Sequence, residues 1–179
     1  METETKAAEA KPEQAVNGWA RLVVGKHPKK TLSRIAVTVI TSAVVFGFLA
    51  RPIQVVGISM FPTYKQGQYN FINRVSYWLA EPKRFDVVAV DVRSLGMHAV
   101  LLKRIIGMPG EKVVITDGIV MINGQPLDEP YVRARFPWQE EFDLGPDEYL
   151  VIGDNRAMVQ GNHTHGMVPR KFIMGKVLY

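Results

Sequence analysis

The sequence predicts a mostly β domain that follows a single N-terminal transmembrane helix. The helix is indicated by one uncharged, apolar run at residues 35–50. The β domain is indicated by short runs of β-forming residues, separated by turn residues, over the rest of the chain. No long amphipathic helix and no internal repeat follows the apolar run, so we expect a single domain there.

The apolar run reads IAVTVITSAVVFGFLA and lies between Arg34 and Arg51. At about 1.5 Å per residue it spans roughly 24 Å, slightly less than the hydrocarbon core of a bilayer. Apolar residues just outside it lengthen the stretch, and the two arginines can reach the lipid headgroups. These features predict a transmembrane helix over residues 31–52, with a buried helix of a soluble protein as the alternative.

A cleaved signal peptide is a further alternative for this run. Such a leader begins with a short basic segment, whereas 34 residues with four glutamates precede the run here. Phe48 also stands where a cleavage site needs a small residue. We therefore expect the run to remain as a membrane anchor.

The charges beside the run predict its orientation. Five Lys or Arg residues lie within residues 21–34, whereas only Arg51 and Lys65 lie in the twenty residues after the run. The positive-inside rule then places the N-terminus in the cytoplasm and residues 53–179 on the outer face of the membrane. Residues 1–30 are polar and weakly patterned, so we expect a largely disordered cytoplasmic tail.

Composition excludes several functional classes. The net charge is +5, but residues 51–179 hold fifteen Lys or Arg against thirteen Asp or Glu, a balance that argues against nucleic-acid binding. The absence of cysteine excludes disulfides, thiolate zinc sites and a thiol nucleophile. No Gly-rich phosphate loop is visible, and His163 and His165 are interpreted as loop residues rather than as a metal site.

The outer domain contains several predicted strands. They are residues 85–92 (FDVVAVDV), 100–106, the two halves of 112–122 (KVVITDGIVMI) and 148–152 (EYLVI). The pair Asp117 and Gly118 predicts a hairpin within 112–122, and Asn123 with Gly124 predicts the next turn.

Ser59 is the first residue that could carry chemistry. It lies in GISMFPT, where Gly57 permits unusual backbone angles and Pro62 stiffens the turn. Such a turn can hold a hydroxyl and a backbone N–H toward one point. Taken alone this signal is weak, because serines are common in turns.

Lys103 is the second residue that could carry chemistry. In a strand it shares a face with Leu101 and Ile105, whereas Arg104 points to the opposite face. Aliphatic surroundings favour the neutral form of a lysine, which can accept a proton from a serine hydroxyl. A lysine that simply reaches solvent from an edge strand is the alternative.

Three ordered segments carry a resemblance to a known family. SMFPT, LLKRIIGMPGEKV and VIGDNR, which follow one membrane anchor, resemble the motif boxes of bacterial type I signal peptidases. The resemblance covers nearly all of residues 31–179. It implies a mostly β, barrel-like catalytic domain on the outer face of the cytoplasmic membrane, which removes signal peptides from secreted preproteins.

The resemblance also implies roles for individual residues. Ser59 is the expected nucleophile and Lys103 its general base. The expected supporting or substrate-binding residues are Gly57, Met60, Pro62, Arg104, Gly153, Asp154, Asn155 and Arg156. Preproteins with small residues at the first and third positions before the cut are the expected partners, together with the bilayer. The export machinery is a candidate neighbour, and no cofactor or metal is implied.

The sequence departs from the family pattern after residue 156. Val159 replaces a serine that orients the lysine, and Gly161 and His163 replace an acid and an arginine that usually pair. This change leaves open a catalytically impaired homologue that binds signal peptides or modulates another peptidase. The intact Ser59 and Lys103 favour the enzyme. A self-cleaving Ser/Lys repressor would need a DNA-binding N-terminal domain in place of the anchor.

Overall fold

The computed structural model describes residues 28–93, 100–159 and 165–178. The predictions for Gly161, for His163 and for residues 1–27 of the N-terminal tail lie outside these residues, whereas residues 28–30 of the predicted tail are helical. The chain divides into two compact units, Met1–Ala43 and Val44–Tyr179. The proposed division into tail, anchor and outer domain remains a prediction.

The apolar run forms a helix. Helix α1 spans Pro28–Val44 and continues as a π-helix over Val45–Leu49. By length and composition alone, Lys29–Gly47 could cross a membrane, and none of this stretch is buried. The helix was predicted to reach residue 52, but Ala50–Gln54 is a strand. Pro52 explains the earlier end, because it lacks an amide hydrogen and disfavours helical angles in the residue before it.

The remaining described chain is mostly β, as the sequence predicted. The strands are β1 (Ala50–Gln54), β2 (Tyr69–Asn73), β3 (Val87–Asp91), β4 (Val100–Gly107), β5 (Lys112–Thr116), β6 (Ile119–Ile122), β7 (Gln125–Pro126), β8 (Glu140–Asp143), β9 (Glu148–Ile152), β10 (Gly166–Pro169) and β11 (Ile173–Leu178). A 3-10 helix, Arg170–Phe172, precedes the last strand.

The strands form two sheets, and neighbouring strands within each sheet are antiparallel. Seven strands follow the order β1-β2-β11-β3-β4-β9-β10, and four follow the order β7-β6-β5-β8. The larger sheet has β1 and β10 at its edges, and no pairing among the described strands closes it into a barrel. Strand β11 separates the pair β1-β2 from the group that begins with β3.

Strand β3 is buried on both faces. Val88 and Val90 belong to one apolar cluster, whereas Val87 and Ala89 belong to another. Because successive side chains of a strand point to opposite faces, a continuous apolar run is what such a central strand requires. The neighbouring strand β4 lies between β3 and β9 in the same sheet.

A third apolar cluster joins the two sheets. It combines Ile106 of β4 and Ile152 of β9 with Val113 of β5 and Val120 of β6. The smaller sheet therefore packs against the end of the strand that carries Lys103. This arrangement removes the C-terminal half of β4 from solvent.

The predicted hairpin is confirmed. Thr116 of β5 pairs with Ile119 of β6, which leaves Asp117 and Gly118 as the two-residue turn. Their φ angles are 50° and 74°, as a type I′ turn requires. A Cβ at Gly118 would also come within 2.6 Å of the Phe136 carbonyl oxygen, so the turn excludes larger residues.

Candidate active site

Ser59 lies in a tight turn after the edge strand β1. Gly57 has a φ of 89°, a left-handed angle that glycine adopts without strain, as the sequence predicted. Two backbone hydrogen bonds close the turn: Phe61 N donates to the Ile58 carbonyl at 3.0 Å, and Tyr64 N donates to the Met60 carbonyl at 2.9 Å. The buried Tyr64 side chain anchors the end of the turn in the core.

Lys103 lies in the middle of β4, opposite Val88 of β3. Its side chain is only 2% exposed. Burial lowers its pKa from 10.5 to about 8, because an ammonium group loses hydration there, while the negative charge of Asp154 acts in the opposite direction. The desolvation that strand alternation predicted for this lysine is therefore present.

Arg104 points away from Lys103 and is fully engaged elsewhere. Its Nε and one terminal nitrogen donate to the two carboxylate oxygens of Asp154, at 2.8 and 2.6 Å. The other terminal nitrogen donates to the Phe85 carbonyl at 2.9 Å, and the guanidinium lies 4.1 Å from the centre of the Tyr131 ring. Such a bidentate pair fixes the carboxylate geometrically as well as electrostatically.

Asp154 also connects this pair to the nucleophile turn. The Thr63 hydroxyl donates to Asp154 Oδ2 at 2.5 Å. The next residue, Asn155, donates its backbone N–H to the Ser59 carbonyl at 2.9 Å and its side-chain amide to the Ile58 carbonyl at 3.1 Å. One loop therefore holds the turn that carries Ser59 and the strand that carries Lys103.

A buried ion pair supports this loop from behind. Arg156 is 2% exposed and Glu129 is 4% exposed, and the guanidinium of the first pairs with the carboxylate of the second. Arg156 Nε also donates to the Gly153 carbonyl at 3.0 Å, and Arg135 approaches Glu129 at 3.8 Å. Charges this deeply buried need such pairing, because water does not stabilise them.

An apolar groove of about 350 Å³ opens beside the nucleophile. Its lining residues come from β1, the nucleophile turn and β4: Ile53, Gln54, Val55, Val56, Ser59, Met60, Val100, Leu101 and Leu102. Leu102 precedes Lys103, so the groove brings both motif segments together. Among the described residues no hydrogen bond joins Ser59 Oγ to Lys103 Nζ, and catalytic hydrogen bonds often tighten only when substrate is present.

The other residues singled out from the sequence lie at different distances from the groove. Met60 lines the groove with Ser59, whereas Pro62 lines a separate small cleft. Val159, the substituted position, is half exposed. His165 lies outside the groove, where its Nε2 is 2.7 Å from a Glu140 carboxylate oxygen.

Three residues of the site were missed by sequence reasoning. Thr63 was part of a quoted motif, but no local pattern indicated that its hydroxyl would contact Asp154. Glu129 and Tyr131 lie in the long segment between β7 and β8, which has no periodic pattern. Their partners are distant in sequence, so only the folded chain reveals their roles.

Comparison with known proteins identifies the family. The protein-family model described as "Signal peptidase, peptidase S26" matches residues 29–179. The chain belongs to this family. Signal peptidase I of Leptolyngbya laminosa is 32% identical over 155 residues, which cover 82% of this chain and 76% of that protein. Probable signal peptidase I-2 of Synechocystis sp. is 32% identical over 162 residues, covering 83% and 72% of the two chains.

A Bacillus relative gives the same assignment. Signal peptidase I T of Bacillus subtilis is 35% identical over 153 residues, covering 79% of this chain and 78% of its own. As a member of the S26 signal peptidase family the chain is an enzyme, a serine endopeptidase, which confirms the family and enzyme class that the three motifs predicted.

Proposed function

We propose that this signal peptidase family member is a membrane-bound serine endopeptidase that removes signal peptides from secreted preproteins with a Ser59/Lys103 dyad. The observation that carries the proposal is the shared loop. Asp154 and Asn155 tie a strand with a buried lysine of lowered pKa to a turn with a serine at an apolar groove. These are the parts that an activated serine nucleophile requires.

The chemistry begins with neutral Lys103. Its Nζ accepts the Ser59 Oγ proton as Oγ bonds to the scissile carbonyl carbon. The resulting oxyanion can accept a hydrogen bond from the Ser59 backbone N–H. This N–H donates no hydrogen bond to any residue in the described part of the chain. Collapse of this intermediate breaks the C–N bond, and the lysine ammonium gives its proton to the departing amine.

The remaining acyl ester on Ser59 is removed by water. Lys103 takes a proton from the attacking water, and the second tetrahedral intermediate collapses with return of that proton to Ser59 Oγ. The signal peptide leaves with a new carboxyl end. One lysine therefore serves both half-reactions, provided that it is neutral at the start of each.

The groove suits the signal-peptide side of the substrate. Strand β1 pairs only with β2 among the described strands, so its other edge can bind an extended peptide by main-chain hydrogen bonds. Most side chains that line the groove are aliphatic and offer no charged partner. This lining agrees with the small, uncharged residues that the family resemblance implies before the cut.

We place the enzyme in a bacterial cytoplasmic membrane with one span. The N-terminus would lie in the cytoplasm, and residues 53–179 would lie on the outer face, where preproteins emerge from the export machinery. Protease added to intact spheroplasts should then digest the outer domain and spare the N-terminal tail. Digestion of the tail alone would reverse this topology.

Cleavage of a secretory preprotein by the purified, detergent-solubilised full chain tests the dyad. Ser59→Ala and Lys103→Ala should each lower the rate by several orders of magnitude, because members of one catalytic unit fail together. Ser33→Ala and Lys83→Ala change the same residue types outside the groove and should cleave normally. Near-normal cleavage by either dyad variant would exclude the assignment, whereas binding without cleavage by the unmodified chain would favour the impaired homologue.

A further inference from the structure

A second cleft begins where the groove ends. Ser59 and Met60 line the groove, whereas the next two residues, Phe61 and Pro62, line a cleft of about 130 Å³. Its other walls are Arg133, Ala134 and the loop residues 154–157. The two depressions share no lining residue, so the nucleophile turn forms the boundary between them.

A bound substrate has to extend past this boundary. If the signal-peptide side occupies the groove, the chain beyond the scissile bond continues across the nucleophile turn. Asn155 lines the cleft and donates its backbone N–H to the Ser59 carbonyl at 2.9 Å, so the cleft begins one hydrogen bond away from the nucleophile. The leaving segment therefore has this concave surface available next to the reacting atoms.

The charges of the cleft are unequal. Asp154 is bound by Arg104, and Arg156 is bound by Glu129, so both loop charges are neutralised by buried partners. Arg133 is exposed and has no hydrogen bond or ion pair from its side chain to any residue in 28–93, 100–159 or 165–178. Among the described residues, the cleft is thus lined by one arginine without a counter-charge and by Phe61, which is 49% exposed.

We propose that this cleft binds the first residues of the mature protein and that Arg133 favours an acidic side chain among them. The proposal rests on the signal peptidase function proposed above and adds to it a preference on the leaving side. A guanidinium pairs well with a carboxylate, and an approaching lysine would be repelled. Phe61 supplies apolar area for the neighbouring residue of the leaving segment.

A matched set of peptides tests the preference. All members share one signal-peptide side, and each carries Asp, Asn or Lys at one of the successive positions after the scissile bond. At one such position the unmodified enzyme should show a kcat/KM for Asp about two- to fivefold above that for Asn, the range expected of one exposed ion pair. The preference should shrink at high salt.

Variants at Arg133 then assign the preference to this side chain. Arg133→Gln should abolish the Asp-over-Asn ratio, and Arg133→Glu should invert it in favour of Lys. Lys83→Gln removes an equal charge at an exposed position away from the cleft and should retain the ratio. Thermal unfolding of each variant shows whether it is folded, and the salt dependence of the unmodified enzyme needs no variant.

The outcomes separate the two proposals. Equal cleavage of all peptides by the unmodified enzyme, or an Asp preference that survives Arg133→Glu, would overturn the cleft while leaving signal-peptide cleavage in place. No cleavage of any peptide would overturn both.

Discussion

Replacing Lys103 with methionine should stabilise the protein at neutral pH while abolishing activity. The side chain is 2% exposed, and burial lowers its pKa from 10.5 to about 8. Near pH 7 the folded protein must therefore hold an ammonium group in surroundings that disfavour it. Methionine is unbranched and of similar length, so it can keep the packing without the charge.

The magnitude follows from the two pKa values. The difference between 10.5 and about 8 is about 2.5 units, and each unit corresponds to about 1.36 kcal/mol. The buried lysine therefore costs about 3 kcal/mol wherever both the folded and unfolded states are protonated, which is below pH 8. The cost declines as the pH rises from 8 and is absent above 10.5, because both states are then neutral.

Urea unfolding of the detergent-solubilised chain, followed by tryptophan fluorescence, measures this effect. The methionine variant should be more stable by about 3 kcal/mol at pH 7, and its advantage should decrease steadily toward pH 10.5. Lys83→Met, at an exposed position, should show no such pH dependence. A methionine variant that is less stable at pH 7, or an advantage that is constant with pH, would refute the desolvation argument.

Three further predictions concern the same centre. The kcat/KM for preprotein cleavage should rise with pH through about 8, as Lys103 loses its proton, and a limb that appears only near pH 10 would contradict a desolvated base. Asp154→Asn removes a negative charge that raises this pKa, so pH–rate profiles of its residual activity should show the limb at lower pH. Glu129→Gln leaves Arg156 buried without its counter-charge and should cost about 3–5 kcal/mol in urea unfolding. Glu141→Gln, in an exposed ion pair, should cost less than about 1 kcal/mol, and equal losses would exclude the buried-pair argument.

The strands were predictable because their local patterns agree with their environment. The run Val87–Val90 is apolar at every position, and the structure buries both of its faces. The turn at Asp117 and Gly118 needs two positive φ angles, which few residue pairs accept. The end of the helix was placed too late: the apolar run reaches Ala50, but Pro52 already imposes an extended backbone there.

The site was predictable only in part. Strand alternation placed Lys103 and Arg104 on opposite faces and predicted a desolvated lysine, but the structure buries both side chains. The same pattern could not reveal that Arg104 would bind Asp154, since the two are 50 residues apart in the chain. Glu129 could not be predicted either, because a single acidic residue in an irregular segment does not indicate that it will pair with the buried Arg156.

The position of β11 has a consequence for when the sheet is completed. The turn with Ser59 extends from the β1-β2 pair, the strand with Lys103 lies beside β3, and β11 joins these two halves of the sheet. Strand β11 comprises Ile173–Leu178, so it is synthesised after every other described strand. A nascent chain that lacks it has no strand pairing between the two halves of the sheet, and only the contacts of the loop at Asp154 and Asn155 and of the apolar core then connect the Ser59 turn with the Lys103 strand. We therefore expect the sheet that positions Ser59 and Lys103 to be completed only when β11 has paired with both β2 and β3.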